Sequence, residues 1–149
     1  MSAPVAIVGG SGLYDLAGLE GPTETRVETP FGAHSDGFLV GRLSGREVVF
    51  LARHGAGHRL LPGEINHRAN LFALKRLGVE RVLSVSAVGS MRKRIRPRDV
   101  VLVDQFVDRV PHRPSTFFGD GVAAHVSFAD PVCPELHALL RRMYHEKRS

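Results

Sequence analysis

Cysteine is nearly missing from this sequence: Cys133 stands alone. One thiol cannot close an internal disulfide, so the disulfide-stapled class of small secreted folds is excluded. Long apolar runs are missing as well, and none approaches the roughly 18 residues that mark a membrane-spanning helix. Met1-Ser2-Ala3-Pro4-Val5 lacks the basic head and long apolar stretch of a secretory leader. These absences predict a cytoplasmic protein with no membrane partner. No Gly-x-x-x-x-Gly-Lys sequence occurs, and Gly10-x-Gly12 is followed by Asp15 where a dinucleotide fingerprint needs its third glycine. The strong signals of a P-loop or Rossmann site are therefore lacking. No His/Cys/Asp spacing typical of a metal site is found, and there is no internal repeat or low-complexity tract.

The 149 residues, 43% of them apolar, are one domain's worth of chain that can bury a core. The formal charge is +5, from 20 basic and 15 acidic residues. Such a balance suits a nucleic-acid face or a small anionic ligand held by a few cations. The basic residues gather at Arg92-Lys93-Arg94 to Arg98 and at Arg141-Arg142 to Lys147-Arg148. Neither cluster is interleaved with the aromatics of a single-strand platform, which weighs against nucleic acid.

Hydrophobic pattern predicts strands at 3–8, 24–29, 38–43, 47–52, 81–86 and 99–107. Val48, Val49, Phe50 and Leu51 are continuous, as are most of 81–86, so both read as buried strands that call for cover on both faces, yet the chain supplies few clear helices and part of the sheet is expected to stay uncovered. Between them Ile65, Ala69, Phe72, Ala73 and Leu77 recur at helical spacing, giving a helix over 64–77 with Pro62 and Glu64 at its start and Gly78 as its cap. Strand, helix, strand predicts a parallel pair. Residues 109–122 form a loop, and an amphipathic helix starts at Pro134 with Leu136, Leu139, Leu140 and Met143 on one face. The expected fold is a three-layer α/β sandwich with a mixed, largely parallel sheet.

Three of the strands run into polar, glycine-containing loops: Gly9-Gly10-Ser11-Gly12, Ala52-Arg53-His54-Gly55 and Ser86-Ala87-Val88-Gly89-Ser90. Ligands of open α/β sheets bind beyond the carboxyl ends of parallel strands. The glycines let backbone N–H groups approach a ligand. Ser11, Ser86 and Ser90 add hydroxyls, Arg53 a planar fork matched to phosphate oxygens, and His54 a ring donor. Together they describe a phosphate pocket, although Gly-Gly-Ser-Gly alone reads as a tight turn. The remaining histidines, His34, His67, His112, His137 and His145, read as surface or packing residues. Cys133 reads as packing at a helix start. Asp104 and Asp108 read as loop or interface contacts.

Eight stretches carry a resemblance. They are residues 7–13 (IleValGlyGlySerGlyLeu), 29–32 (ThrProPheGly), 51–55 (LeuAlaArgHisGly), 66–70 (AsnHisArgAlaAsn), 86–90 (SerAlaValGlySer), 104–109 (AspGlnPheValAspArg), 113–118 (ArgProSerThrPhePhe) and 127–134 (SerPheAlaAspProValCysPro). In order and spacing the chain resembles the methylthioadenosine phosphorylase branch of the purine-nucleoside phosphorylase superfamily. The resemblance implies phosphorolysis of 5′-methylthioadenosine to adenine and 5-methylthioribose 1-phosphate, a salvage reaction with inorganic phosphate as co-substrate and no metal or organic cofactor. It implies phosphate contacts from Ser11, Arg53, His54, Ser86 and Ala87, and substrate contacts from Ala87, Val88, Gly89 and His125. His125 would reach a neighbouring subunit's substrate in a homotrimer. His58 and Asn66 would organise the pocket.

Two places depart from the pattern, His67 where tyrosine is usual and Arg92-Lys93-Arg94 in place of a more acidic stretch. Family members are close to twice as long, so residues 1–149 are expected to be the N-terminal part of one domain. The acid that protonates the purine would lie beyond Ser149, and the chain alone would not turn over. The alternatives are a phosphorylase for methylthioinosine or another purine nucleoside, a non-catalytic phosphate- or nucleoside-binding remnant, and, on charge alone, a nucleic-acid binder. Phe117, Phe118, Val126 and Phe128, outside any core periodicity, are expected to be exposed at an interface.

Overall fold

A computed structural model describes residues 3–110 and 113–146. His112, the side chain of His145, and Lys147-Arg148 lie outside the described residues. The chain divides after Gly89 into two compact units.

The N-terminal unit is built on a five-stranded sheet. Its strands are β1 (Val5–Gly9), β2 (Glu20–Thr25), β3 (Phe38–Leu43), β4 (Arg46–Ala52) and β5 (Arg81–Val85), in the order β2-β3-β4-β1-β5. β1 is the parallel neighbour of both β4 and β5, Ile7 lying opposite Phe50 on one side and Leu83 on the other. The two antiparallel pairings are β2 with β3 and β3 with β4. The mixed α/β sheet expected from the hydrophobic pattern is thus present, with β4 and β5 pointing the same way and β1 between them.

Local chemistry sets the elements. Ser44 and Gly45 both have positive φ, the signature of a type I′ turn, and this turn joins β3 to β4 as a tight hairpin. β2 starts earlier than the pattern predicts and stops at Thr25. Its register shifts between Glu20 and Thr23, around Pro22, which has no N–H to donate; an edge strand tolerates that. Beyond Thr25 the chain leaves the sheet, and Thr29 closes a turn with Gly32, whose N–H donates to the Thr29 carbonyl at 3.3 Å.

Helix α1 (His67–Arg76) begins later than predicted because Asn66 is its cap: the Asn66 Oδ1 accepts the Ala69 N–H at 3.1 Å. Glu64 instead accepts the Leu61 N–H in the preceding turn, at 2.7 Å. Gly78, at φ 80°, ends the helix as expected. Ala73 and Leu74 of α1 pack with Ala6, Phe38, Val49, Leu51 and Val79 in one buried cluster, so this helix covers one face of the sheet.

Asn70 is a buried polar residue with both ends of its amide used. Its Oδ1 accepts the Ser35 N–H at 2.8 Å and its Nδ2 donates to Ser35 Oγ at 2.9 Å. Removing the amide strands two buried groups of Ser35, so Asn70→Ala is expected to destabilise the unit by about 1–3 kcal/mol. Urea unfolding would measure it, and a loss below about 0.5 kcal/mol would show that water replaces the amide without penalty.

Two expectations are corrected. β5 forms, but Val82 and Val85 are 37% and 48% exposed. Among the described residues the strand pairs with β1 alone and sits at the sheet edge, so it is not the buried strand its pattern predicts, and part of the sheet stays uncovered, as expected of a chain with few helices. Residues 99–107 form no strand: Val100, Val101, Val103, Phe106 and Val107 are exposed in irregular backbone. An extended apolar run needs a hydrogen-bonding neighbour, and none is found among the described residues. The C-terminal unit carries one isolated bridge, Gly119 with Val122, and helix α2 (Pro134–Glu146), which starts at Pro134 as predicted. Phe117, Phe118, Val126 and Phe128 are exposed, as expected of them. No helix among the described residues is long and apolar enough to cross a membrane.

Candidate functional site

The carboxyl ends of β4, β1 and β5 lie side by side, and backbone hydrogen bonds lock their loops together. The Gly10 N–H donates to the Val85 carbonyl at 2.8 Å, and the Arg53 N–H donates to the Gly9 carbonyl at 2.8 Å. These two bonds continue the parallel ladder one step past the strands, so the three glycine-containing loops meet as the sequence predicts.

The first loop turns at once. The Leu13 N–H donates to the Gly10 carbonyl at 3.1 Å, with Gly12 at φ 89°, a type II turn that places Ser11 at its exposed corner. Gly9 and Gly10 are glycines for want of space. A Cβ on Gly9 would run into the Leu13 carbonyl, and one on Gly10 would meet Arg53 Nη2 at 2.5 Å and the Val85 carbonyl oxygen at 2.9 Å. The Arg53 guanidinium therefore lies directly against bare Gly10 backbone.

Arg53 donates from Nη2 to Ser86 Oγ at 3.0 Å, joining the β4 and β5 loops across the end of β1. That bond uses one of five guanidinium donors. The Ser86 hydroxyl accepts it and keeps its own hydrogen to donate. No acidic residue occurs in 9–14, 52–58 or 86–90, so the Arg53 charge meets no carboxylate within these loops. Ser11, Ser86, Ala87, Val88 and Gly89 are all exposed, and Arg53 is half-buried. Hydroxyl donors, one cation and open glycine backbone at the ends of parallel strands make a surface suited to an oxyanion.

His54 is 5% exposed. Its Nδ1 lies 2.9 Å from the Leu60 carbonyl, which can only accept, so Nδ1 carries the proton. In the neutral ring Nε2 is then the lone-pair nitrogen. Nε2 has no hydrogen-bond partner among the described residues, and it is not among the fully enclosed unpaired atoms, where only His34 Nδ1 stands. It retains an opening to solvent.

Several candidates are drawn elsewhere. Ser90 accepts the Arg92 N–H and donates to the Arg92 carbonyl, both at 3.0 Å, so its hydroxyl is spent in a local turn. Asn66, besides capping α1, donates to the Phe31 carbonyl at 2.6 Å; it anchors the 29–32 turn. His125 is exposed on the C-terminal unit. Asp108 serves its own loop: the Val110 N–H, and then the Arg113 guanidinium at 3.1 Å, hold its carboxyl below the usual carboxylate range.

Sequence reasoning passed over Asp36. Its carboxylate accepts the Ala56 N–H and lies 3.6 Å from Arg59, fixing the loop that follows Arg53-His54. No local pattern could reveal a contact between residues 36 and 56. The glycines of that loop fit the same picture: Gly55 has φ 73°, and a Cβ there would meet Arg59 Nε at 2.7 Å.

Comparison with known proteins gives one answer. The sequence model of the phosphorylase superfamily matches residues 4–148. The S-methyl-5′-thioadenosine phosphorylase of Koribacter versatilis is 55% identical over 141 residues, 95% of this chain and 48% of that protein. The crystal structure of a methylthioadenosine phosphorylase from an antarctic soil metagenomic library has a TM-score of 0.90 at 51% identity, covering 97% of this chain and 50% of that one. A mutant adenosine/methylthioadenosine phosphorylase from Schistosoma mansoni, in complex with methylthioadenosine, has a TM-score of 0.92 at 34% identity, covering 99% of this chain and 54% of its own. The chain thus spans about half the length of the relatives it matches. The match runs from the β1 strand to the end of α2 without a break in family, and the chain belongs to the phosphorylase superfamily.

Proposed function

We propose that this chain supplies the phosphate-holding part of a 5′-methylthioadenosine phosphorylase. The observation that carries the reading is the Arg53–Ser86 bond across the bare Gly10 backbone, at the ends of three adjacent strands. In the reaction a phosphate oxygen attacks the anomeric carbon of the ribose. The new C–O bond forms as the bond to the purine nitrogen breaks, and the purine leaves with a proton. Glycosidic cleavage of this kind passes through an oxocarbenium-like state. The bound phosphate serves as nucleophile and as the anion beside the developing positive charge. Arg53, His54, Ser11, Ser86 and the Ala87 backbone orient it, so their contribution is positioning and electrostatics.

Ala87, Val88 and Gly89 lie on the ribose side of this scheme, and His125 reaches the substrate of a neighbouring subunit in a homotrimer. Inorganic phosphate is a co-substrate, with no metal or organic cofactor, and the setting is cytoplasmic. Residues 1–149 form the N-terminal part of one phosphorylase domain. The relatives named for this activity, and the bound methylthioadenosine of the Schistosoma protein, support the choice of substrate.

The test is adenine release from methylthioadenosine. Joined to a segment equivalent to the rest of its relatives' length, the chain is expected to release adenine only when phosphate is present. The 149-residue chain by itself is expected to release none, because no residue of the site is an acid that could protonate the leaving purine. Release without phosphate would make the reaction a hydrolysis and overturn the reading.

A further inference from the structure

The phosphate scheme gives no task to Tyr14 and no specific one to His58, which stand in one row with the ring of His54. Tyr14 Oη lies 2.6 Å from His58 Nδ1, and the two rings meet edge-on, 5.8 Å between centroids with their planes at 82°. His58 in turn stacks on His54, with centroids 4.5 Å apart and planes within 13°. Tyr14 belongs to the loop after β1, and His58 to the short 3-10 turn Ala56–His58 after β4. The three side chains form a continuous row from one loop of the anion site to the ring at its centre.

The backbone supports this row at a cost. His58 has φ 57°, next to Gly57 at 71° and close to Gly55 at 73°. The two glycines adopt that conformation freely; histidine does not. A side chain kept in the left-handed region persists where its surroundings over-determine it. For His58 those surroundings are the Tyr14 hydroxyl and the face of His54.

We propose that Tyr14 and His58 are positioning residues for His54, clamping its ring so that Nδ1 stays on the Leu60 carbonyl and Nε2 stays available to accept from a protonated oxygen of the bound anion. The identity of that anion rests on the phosphate reading; the clamp itself does not. One hydrogen bond to a carbonyl leaves an imidazole free to tilt about its own axis. A parallel ring 4.5 Å away removes that freedom, because tilting breaks the overlap. Tyr14 fixes the second ring in its plane through an atom that His54 does not use. A clamp built from both loops also keeps Arg53, adjacent to His54, in register with Gly10.

The test uses the whole chain, with inorganic phosphate as the probe, in wild-type, Tyr14→Phe and His58→Gly forms. Calorimetry reads phosphate affinity, and nitrogen-proton spectra of the histidine rings read the exchange of the His54 Nδ1 proton. Tyr14→Phe removes one hydrogen bond and is expected to weaken phosphate about three- to tenfold. His58→Gly removes the stacked ring while relieving the backbone, so affinity is expected to fall about tenfold with no fall in the thermal midpoint. In both, the His54 Nδ1 proton is expected to exchange faster, a change that mere loop tethering would not produce in a protein of unaltered midpoint.

Folded variants with an unchanged His54 ring spectrum would overturn the clamp, whatever their affinity. A wild-type chain that takes up no phosphate would overturn the phosphate reading alone, and the clamp would still be judged by the His54 proton. Should His58→Gly fail to fold, Tyr14→Phe decides, since it keeps the aromatic ring and removes only the hydroxyl.

Discussion

Arg53→Ala is expected to weaken phosphate binding by roughly 10- to 150-fold, the equivalent of the 1.5–3 kcal/mol typical of a hydrogen bond to a charged group. The expectation follows from how little else in the site is charged. The three loops carry no other lysine or arginine up to His58 and no carboxylate, so loss of this guanidinium removes their permanent cation. It also frees Ser86, whose hydroxyl is held by Arg53 Nη2, to rotate away from the site. Arg53→Lys separates the two effects. An ammonium restores the charge but not the planar fork, and should recover only part of the affinity. The fold is not expected to suffer, because Arg53 is half-buried and its backbone bond to the Gly9 carbonyl survives the substitution. Titration calorimetry in a phosphate-free buffer at fixed ionic strength is the measurement. A folded Arg53→Ala chain that binds phosphate as the wild type does would remove Arg53 from the site.

Phe50→Ala is expected to destabilise the N-terminal unit by about 3–5 kcal/mol. Phe50 is 1% exposed and occupies the middle of β4, opposite Ile7 on one side and Leu39 on the other. Truncation leaves a cavity where three strands meet, and the sheet cannot close over it without breaking two ladders. For a unit of this size each kcal/mol lowers the midpoint by about 4–8 °C, so the loss is expected to exceed 10 °C. Val82→Ala, at the exposed sheet edge, is the natural comparison and should change stability by about 0.5 kcal/mol or less. Urea unfolding of both variants, with the wild-type slope retained, would establish the contrast. Equal losses at the two positions would show that β5 is as enclosed in solution as β4.

The contrast between Phe50 and Val82 also marks what the sequence makes legible. Val48 to Leu51 reads as a central strand and is one, because β4 has neighbours on both sides. Val82, Leu83 and Val85 read the same way, yet β5 lies at an edge. Apolar character states what a strand can tolerate, whereas burial depends on which other elements reach it. The same limit applies to residues 99–107, where valines alone did not make a strand. Boundaries slipped for local reasons: Pro22 disturbs β2, and Asn66 rather than Glu64 opens α1. In the candidate site, the meeting of the three loops, with Arg53 on Ser86, was legible because parallel strands bring their ends to one edge. Asp36 and Tyr14 were not, since each acts on a partner far along the chain and neither belongs to a periodic or glycine-rich pattern.

The position of β1 has a further consequence, for the order in which the protein is made. This strand leaves the ribosome before the other four, yet it occupies the inside of the sheet, with β4 on one side and β5 on the other. Val5 has no partner until Val48 exists and remains half-paired until Arg81 follows. The β3–β4 hairpin, closed by its two-residue turn, has the shortest connection of the paired strands and can form on the microsecond scale. The nascent Val5–Gly9 segment must therefore wait, extended and apolar, for a docking edge that is synthesised later, and closure across such a span is the slow kind. The Gly9-Gly10-Ser11 loop takes its place between the Arg53 and Ser86 loops only once that insertion is complete.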